Sequence, residues 1–137
     1  MVGIVIVAHG GLSDELIRTT SLIVEDEMIS VHSVPVTDLE DPDDIKRRIH
    51  TAIKQADDGD GVLIFTDMFG GTPSNIALSF LQEDRVDVIS GVNLPMLVDL
   101  VYSREGKTLA ELAAQLTETG KNNILLASQY LRGNQRT

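Results

Sequence analysis

Short runs of apolar residues alternate along the chain with longer segments whose apolar residues recur every three or four positions. The first run, residues 2–8, is continuous and rich in β-branched side chains, which is typical of a parallel strand buried on both faces. Similar runs follow at residues 29–36, 62–66 and 86–90. Two serines and a histidine interrupt the second run, so we expect that strand to lie near an edge of the sheet.

Helix signals fill the segments between these strands and continue after the last of them. The predicted helix starts lie at Ser13, Asp41, Thr72 and Thr108, residue types that cap helix N-termini. Gly120 is the expected end of the last helix. Residues 97–101 are apolar around much of a helix circumference, which predicts deep burial or cover by another chain. A last, short strand is expected at residues 123–127.

Alternating strands and helices of this kind predict an α/β fold, doubly wound, with a mainly parallel central sheet in the order 2-1-3-4. Residues 1–127 are expected to form a single domain, because no linker, repeat or low-complexity segment divides them. Residues 128–137 are mostly polar and are expected to form a frayed C-terminal tail.

The composition narrows the class of protein. The chain has 137 residues and a formal net charge of −10. This charge disfavours nucleic acid as a partner, because sequence-independent binding to DNA or RNA needs clustered lysine and arginine. The absence of cysteine excludes disulfides, thiolate zinc sites and a cysteine nucleophile. Since the sequence has neither a membrane-length apolar run nor a signal peptide, we expect a cytoplasmic protein.

Polar and glycine residues follow three of the predicted strands. His9 follows the first strand, residues 67–75 follow the third, and residues 91–95 follow the fourth. In open α/β sheets, ligands bind beyond the carboxyl ends of the strands, where the strand order reverses. With strands one and three adjacent, His9 and Asp67 are expected to face each other across one crevice.

The pairing of His9 with Asp67 is typical of a nucleophilic histidine. A carboxylate that accepts the N–H of one imidazole nitrogen leaves the other nitrogen as a nucleophile and stabilises the cationic ring that forms on attack. A phosphoryl group is the expected ligand, because paired glycines admit an anion close to the backbone and a helix N-terminus attracts it. The residues expected to hold it are Gly70, Gly71, Thr72 and Ser74. These loops contain no lysine or arginine, which favours one phosphoryl group over a nucleoside triphosphate.

Each of these residues also has a structural explanation. A histidine at a strand end is usually structural, Asp67 would serve as a turn residue, and paired glycines are common in loops. The acidic residues between 38 and 44 lack the spacing of a calcium loop and are interpreted as a helix cap. No metal and no cofactor is expected.

At these loops the sequence resembles a known family. Residues 4–10, 67–75 and 91–97 are similar, in order and spacing, to the mannose-type (mannose/fructose/sorbose) IIA component of the bacterial phosphoenolpyruvate-dependent sugar phosphotransferase system, or PTS. The resemblance extends over residues 2–126, and the second and third segments are the specific ones. One departure is Ala8, where relatives often carry threonine.

The resemblance implies a phosphotransferase that relays a phosphoryl group through phosphohistidine. His9 would carry the group, Asp67 would be its partner, and Thr72 would contact the phosphoryl oxygens. HPr would be the donor and a IIB component the acceptor, which serves membrane IIC and IID components. Family members are homodimers that exchange the last strand. The expected docking rim consists of Met68, Phe69, Asn93, Leu94 and Pro95.

Other functions stay open. The chain ends soon after the last predicted strand, so a separate IIA protein is expected, which either serves transport or only reports its phosphorylation state to target proteins. A phosphocarrier subunit of a dihydroxyacetone kinase has the same layout, although the Gly-Gly-Thr-Pro motif at residues 70–73 argues against it. A flavin- or nucleotide-binding domain of flavodoxin-like shape would rest on fold analogy alone.

Overall fold

A sheet of four parallel strands forms the centre of the computed structural model, which describes residues 1–135. The strands are β1 (Gly3–His9), β2 (Val31–Val36), β3 (Val62–Thr66) and β4 (Val86–Ser90). Their order is β2-β1-β3-β4, which confirms the predicted order 2-1-3-4. The interrupted strand β2 lies at an edge, as expected, whereas β3 is buried along its whole length.

Six helices are present among residues 1–135. They are α1 (Leu12–Val24), α2 (Pro42–Ala56), α3 (Thr72–Leu78), α4 (Leu94–Ser103), α5 (Leu109–Asn122) and α6 (Ala127–Gln135). Helices α1, α4 and α5 contribute to the apolar core on one face of the sheet, and α2 and α3 contribute to the core on the other face. No helix within this part of the chain is both long and apolar enough to span a membrane.

The predicted helix starts are right at two positions and wrong at two. Asp41 accepts a hydrogen bond from the Asp43 backbone N–H at 2.9 Å, and Thr108 forms the expected capping box. Ser13 is not an N-cap, because α1 begins at Leu12 and the buried Ser13 hydroxyl pairs with Ser33 Oγ on β2 at 2.7 Å. Gly71 rather than Thr72 precedes α3, and Thr72 is its first helical residue.

Helix α4 owes its apolar character to burial within the chain. Leu97 and Leu100 are fully buried, and Met96 packs against Gly120 of α5. A Cβ atom on Gly120 would overlap the Met96 Cε atom. The prediction that Gly120 ends the last helix is wrong, because α5 continues to Asn122. The missing side chain of this glycine lets α4 approach α5.

The strand predicted at residues 123–127 does not form in the single chain. A strand needs a neighbour to satisfy its backbone N–H and C=O groups, and no strand of residues 1–135 pairs with this segment. The exposed fractions of Ile124, Leu125 and Leu126 are 77%, 60% and 62%. The tail expected to be frayed from residue 128 is helical in α6, and its last two residues, 136 and 137, lie outside the described part of the chain.

Candidate functional site

His9 is the last residue of β1 and lies at the carboxyl edge of the sheet. Its backbone pairs with Val36 at the end of β2, while the ladder between β1 and β3 ends two residues earlier, at Val7. The next residue, Gly10, donates its N–H to the Val36 carbonyl at 2.9 Å and keeps the chain against β2 beyond the strand end. The His9 side chain is 37% exposed. An imidazole ring in this position is open to a docking protein while its backbone is held rigidly.

Asp67, the first residue after β3, holds His9 by two hydrogen bonds. Its Oδ2 atom accepts the His9 backbone N–H at 2.9 Å and lies 2.9 Å from the ring Nδ1 atom. Its Oδ1 atom accepts the Met68 backbone N–H, also at 2.9 Å. The carboxylate is only 12% exposed, so its position is well defined. The expected juxtaposition of these two side chains is present, with Nδ1 as the nitrogen that donates to the acid.

A second carboxylate, that of Asp38 in the acidic segment expected to cap a helix, lies on the other side of the ring. Asp38 Oδ1 is 3.0 Å from His9 Nε2. Asp38 lies in the loop after β2, and its side chain is 77% exposed. Each strand that flanks β1 is thus followed by an aspartate that contacts the histidine. The predicted strand order contained this signal, since Asp38 follows the end of strand two by only two residues.

These contacts change the protonation of the site. The hydrogen bond to Asp67, followed by the one to Asp38, raises the pKa of His9 above its ordinary value despite some desolvation. Partial burial pushes the pKa of Asp67 upward, but the hydrogen bonds from His9 and Met68 outweigh burial, and the pKa of this carboxyl falls below its ordinary value. Both shifts favour the pair in which the His9 ring is protonated and the Asp67 carboxyl is ionised.

The residues expected to hold a phosphoryl group differ in exposure. Gly70 and Gly71 are exposed and have φ values of 93° and 84°, a backbone conformation that favours glycine. Thr72 is exposed at the start of α3. Ser74 is 2% exposed, and its hydroxyl has no hydrogen-bond partner within residues 1–135. The Ser74 side chain is thus closed off from solvent, and its backbone N–H in the first helical turn is the group it can offer to an anion.

The residues of the expected docking rim fall into two groups. Met68 and Phe69 directly follow Asp67 and are 62% and 78% exposed. Leu94 and Pro95 are partly buried at the start of α4. The Asn93 side chain caps α4, because its Oδ1 accepts the Met96 N–H at 3.2 Å and its Nδ2 donates to the Gly120 carbonyl at 3.0 Å. These two bonds indicate a structural role for Asn93 at the edge of the site.

An exposed apolar residue beside Asp38 carries no signal in the sequence pattern. Leu39 follows Asp38 and is 98% exposed. It lies in an acidic loop, and no periodic pattern distinguishes it from solvated loop residues. Within residues 1–135, no group of three or more histidine, aspartate or glutamate side chains is arranged to hold a metal ion.

Comparison with known proteins identifies a family and two relatives that are all components of the PTS. The family described as "PTS system fructose IIA component" matches residues 3–117. The PTS system fructose-specific EIIA component of Bacillus subtilis is 32% identical over 132 residues, which are 96% of this chain and 90% of that protein. The PTS system mannose-specific EIIAB component of Escherichia coli K12 is 29% identical over 125 residues, which are 90% of this chain and 38% of that protein.

A solved structure agrees with the fold. The crystal structure of phosphotransferase system component EIIA from Streptococcus agalactiae superposes with a TM-score of 0.82 at 26% sequence identity. The superposition covers 94% of this chain and 99% of that chain. The α/β architecture predicted from the sequence is therefore confirmed both by the strand order and by this likeness.

Proposed function

Because the chain belongs to the family of fructose- and mannose-type IIA components of the PTS, we propose that it accepts a phosphoryl group from phospho-HPr on His9 and passes it to a IIB component. Family membership supports a role in phosphoryl transfer within this system. The observation that carries the proposal is the 2.9 Å contact between His9 Nδ1 and Asp67 Oδ2. It leaves the opposite nitrogen, Nε2, as the nucleophile.

The transfer needs one ring nitrogen with a lone pair and one that keeps its proton. Asp67 accepts the Nδ1–H, so the lone pair of the neutral ring lies on Nε2. This lone pair attacks phosphorus in line with the phosphorus–nitrogen bond of the donor histidine. The new Nε2–phosphorus bond forms as the donor bond breaks, and the electron pair of the broken bond returns to the donor ring. Asp67 stabilises the positive charge that develops on His9.

The phosphoryl oxygens are proposed to lie against the loop after β3. Backbone N–H groups from Gly70 to Ser74 and the Thr72 hydroxyl would donate to them, since a helix start carries unpaired N–H groups. The phosphohistidine donor is already activated, so the protein supplies position and charge complementarity and no cofactor. A cradle without lysine or arginine holds the group weakly enough to release it.

Docking of both carriers is proposed to use the apolar rim around His9. Met68 and Phe69 expose large apolar surfaces beside Asp67, and the exposed Leu39 extends this surface on the β2 side. Leu94, Pro95 and Asn93 complete the rim. The net charge of −10 would attract carriers whose docking faces are basic.

We also propose a homodimer in which residues 123–127 pair with a second copy. The exposed apolar side chains of Ile124, Leu125 and Leu126 support this, because they are typical of a strand without a neighbour. Residues 1–127 would be the domain that carries the transfer, with IIB linking it to membrane IIC and IID components.

The proposal is tested by incubating the protein with phosphoenolpyruvate, enzyme I and HPr. Wild type should acquire an acid-labile, base-stable phosphate, and His9→Ala should acquire none. His50→Ala is the matched control, because His50 is exposed on α2 and should be labelled like wild type. Label that persists on His9→Ala would refute His9 as the acceptor. Transfer of the label to a IIB component tests the second half of the relay.

A further inference from the structure

The Nε2 atom of His9 is not free. Asp38 Oδ1 lies 3.0 Å from it, while Asp67 Oδ2 lies 2.9 Å from Nδ1. Each contact requires a proton between nitrogen and oxygen, because a carboxylate accepts and does not donate. The arrangement therefore corresponds to the imidazolium form, in which Nε2 has no lone pair. A ring held in this way cannot attack phosphorus.

The two aspartates differ in how firmly they are held. Asp67 makes three hydrogen bonds and is 12% exposed. Asp38 is 77% exposed, and within residues 1–135 its carboxylate bonds only to His9. The loop itself is anchored, since the Thr37 N–H donates to Glu40 Oε1 at 2.9 Å and Arg48 binds Glu40 Oε2 at 2.7 Å. Asp38 can thus leave Nε2 by side-chain rotation, without movement of the backbone.

Among residues 1–135, Asp38 and Asp67 are the only charged side chains that form hydrogen bonds with His9. Asp67 approaches from the end of β3 and Asp38 from the loop after β2, while α1 and α3 contribute no charged side chain that bonds to the ring. A phosphoryl group on Nε2 would take the position that the Asp38 carboxylate now faces. Two negative groups would then lie close together in a partly exposed site, where they repel each other.

Resting on the proposed function, we propose that Asp38 is a positioning residue that sets the phosphoryl-transfer balance of His9. With Asp38 on Nε2, the empty site keeps an unreactive, protonated ring. When the carboxylate rotates away, the Nε2 proton passes to water, and the freed lone pair forms the bond to phosphorus. After transfer, the charge of Asp38 destabilises the phosphorylated form and favours release to the next carrier.

The test compares Asp38→Asn with Asp43→Asn. Asparagine keeps the size of the side chain and removes its charge. Asp43 is an exposed residue at the start of α2 whose side chain makes no hydrogen bond within residues 1–135, so the control has the same net charge. The ring of His9 is titrated by nuclear magnetic resonance, and the equilibrium constant for phosphoryl exchange with HPr is measured at fixed pH.

We expect Asp38→Asn to lower the titration midpoint of His9 and to move the pH profile of phosphoryl acceptance to lower pH. The exchange equilibrium should shift toward the phosphorylated protein by about three- to tenfold, the size of one exposed charge contact. Asp43→Asn should leave all three measurements at wild-type values.

The outcomes separate this inference from the proposed function. If wild type takes no phosphoryl group on His9, the proposed function fails and this inference fails with it. If wild type is phosphorylated but Asp38→Asn matches Asp43→Asn in titration, pH profile and equilibrium, only the role of Asp38 is refuted. A midpoint that falls while the equilibrium, measured at a pH above that midpoint, stays unchanged also refutes it, because the charge would then act only on the protonated empty ring.

Discussion

Asp67→Asn is the most informative single change at this site, because the amide cannot reproduce the pattern of acceptors. Asp67 Oδ2 receives two N–H groups of His9, and Oδ1 receives the Met68 N–H. Whichever way the amide turns, its NH2 group faces an N–H donor. The favoured orientation keeps oxygen toward His9 and places NH2 against Met68. The variant therefore retains the ring contact but loses the charge and one backbone bond.

The distance sets the magnitude of the charge effect. At the 2.9 Å separation of Nδ1 and Oδ2, a full positive charge on the ring interacts with the carboxylate by about 1.4 kcal/mol in water and about 6 kcal/mol at an effective dielectric constant of 20. The site is half-exposed, so we take about 3 kcal/mol. At a pH where the unloaded ring is neutral, the charge develops during attack, so the rate of phosphoryl acceptance should fall by about 100-fold.

A single-turnover measurement with excess phospho-HPr checks this value. Asp87→Asn is the matched control, because Asp87 Oδ1 accepts the next backbone N–H in the same way, at 2.8 Å, and makes no contact with His9. The control should transfer at the wild-type rate, and both variants should keep the wild-type circular dichroism spectrum. An Asp67→Asn rate within about threefold of wild type would show that the carboxylate does not stabilise the transferring ring.

The further expected outcomes concern the free energy of unfolding. Arg104 is 5% exposed and donates to the backbone carbonyls of Val2, Ile29 and Ser30, so Arg104→Ala should lower the free energy of unfolding by about 3 kcal/mol in a urea titration. Arg18→Ala, at an exposed ion pair, should lower it by less than about 1 kcal/mol. Gly120→Ala should cost about 1–3 kcal/mol because its Cβ would meet Met96, and the cost should be smaller when it is measured in a Met96→Ala background. The stability difference between wild type and Asp67→Asn should be largest between about pH 4 and pH 6.5.

The sign of the pH dependence follows from both shifts. The pKa of His9 is raised, so its contribution is complete below its ordinary value of 6.5 and is lost as pH rises through the raised pKa. The pKa of Asp67 is lowered, so its contribution is complete above its ordinary value of 3.8 and is lost as pH falls through the lowered pKa. A difference that grows steadily above pH 7 would contradict the ionic pairing.

Equal urea midpoints for Arg104→Ala and Arg18→Ala would contradict the structural role of Arg104.

The sequence correctly predicted the elements that depend on interactions between residues close together in the chain. The apolar run of β1 and the capping residues Asp41 and Thr108 are such cases. The sheet order then placed His9 beside Asp67, because the carboxyl ends of adjacent parallel strands meet at one edge.

The failures have a common cause in tertiary contacts. Ser13 has the chemistry of an N-cap, yet its hydroxyl bonds to another element, and Gly120 is small because a neighbouring helix needs the space. Asp38 was assigned to a cap because acidic residues before a helix usually serve that purpose, whereas its contact with His9 depends on how one loop side chain is turned. The 123–127 segment has strand-like residues, but pairing depends on a partner that local sequence does not supply.

The Asp67 carboxylate is held by two backbone N–H groups that do not depend on what the His9 ring carries. The same oxygen of Asp67 accepts both the backbone N–H and the ring N–H of His9, so the backbone bond persists whatever the ring carries. Loading and unloading then require little reorganisation of the acid, and neither direction meets an extra barrier from refolding the site. Such a pair allows reversible phosphoryl transfer, and the phosphorylation of the two carriers decides the direction of net transfer.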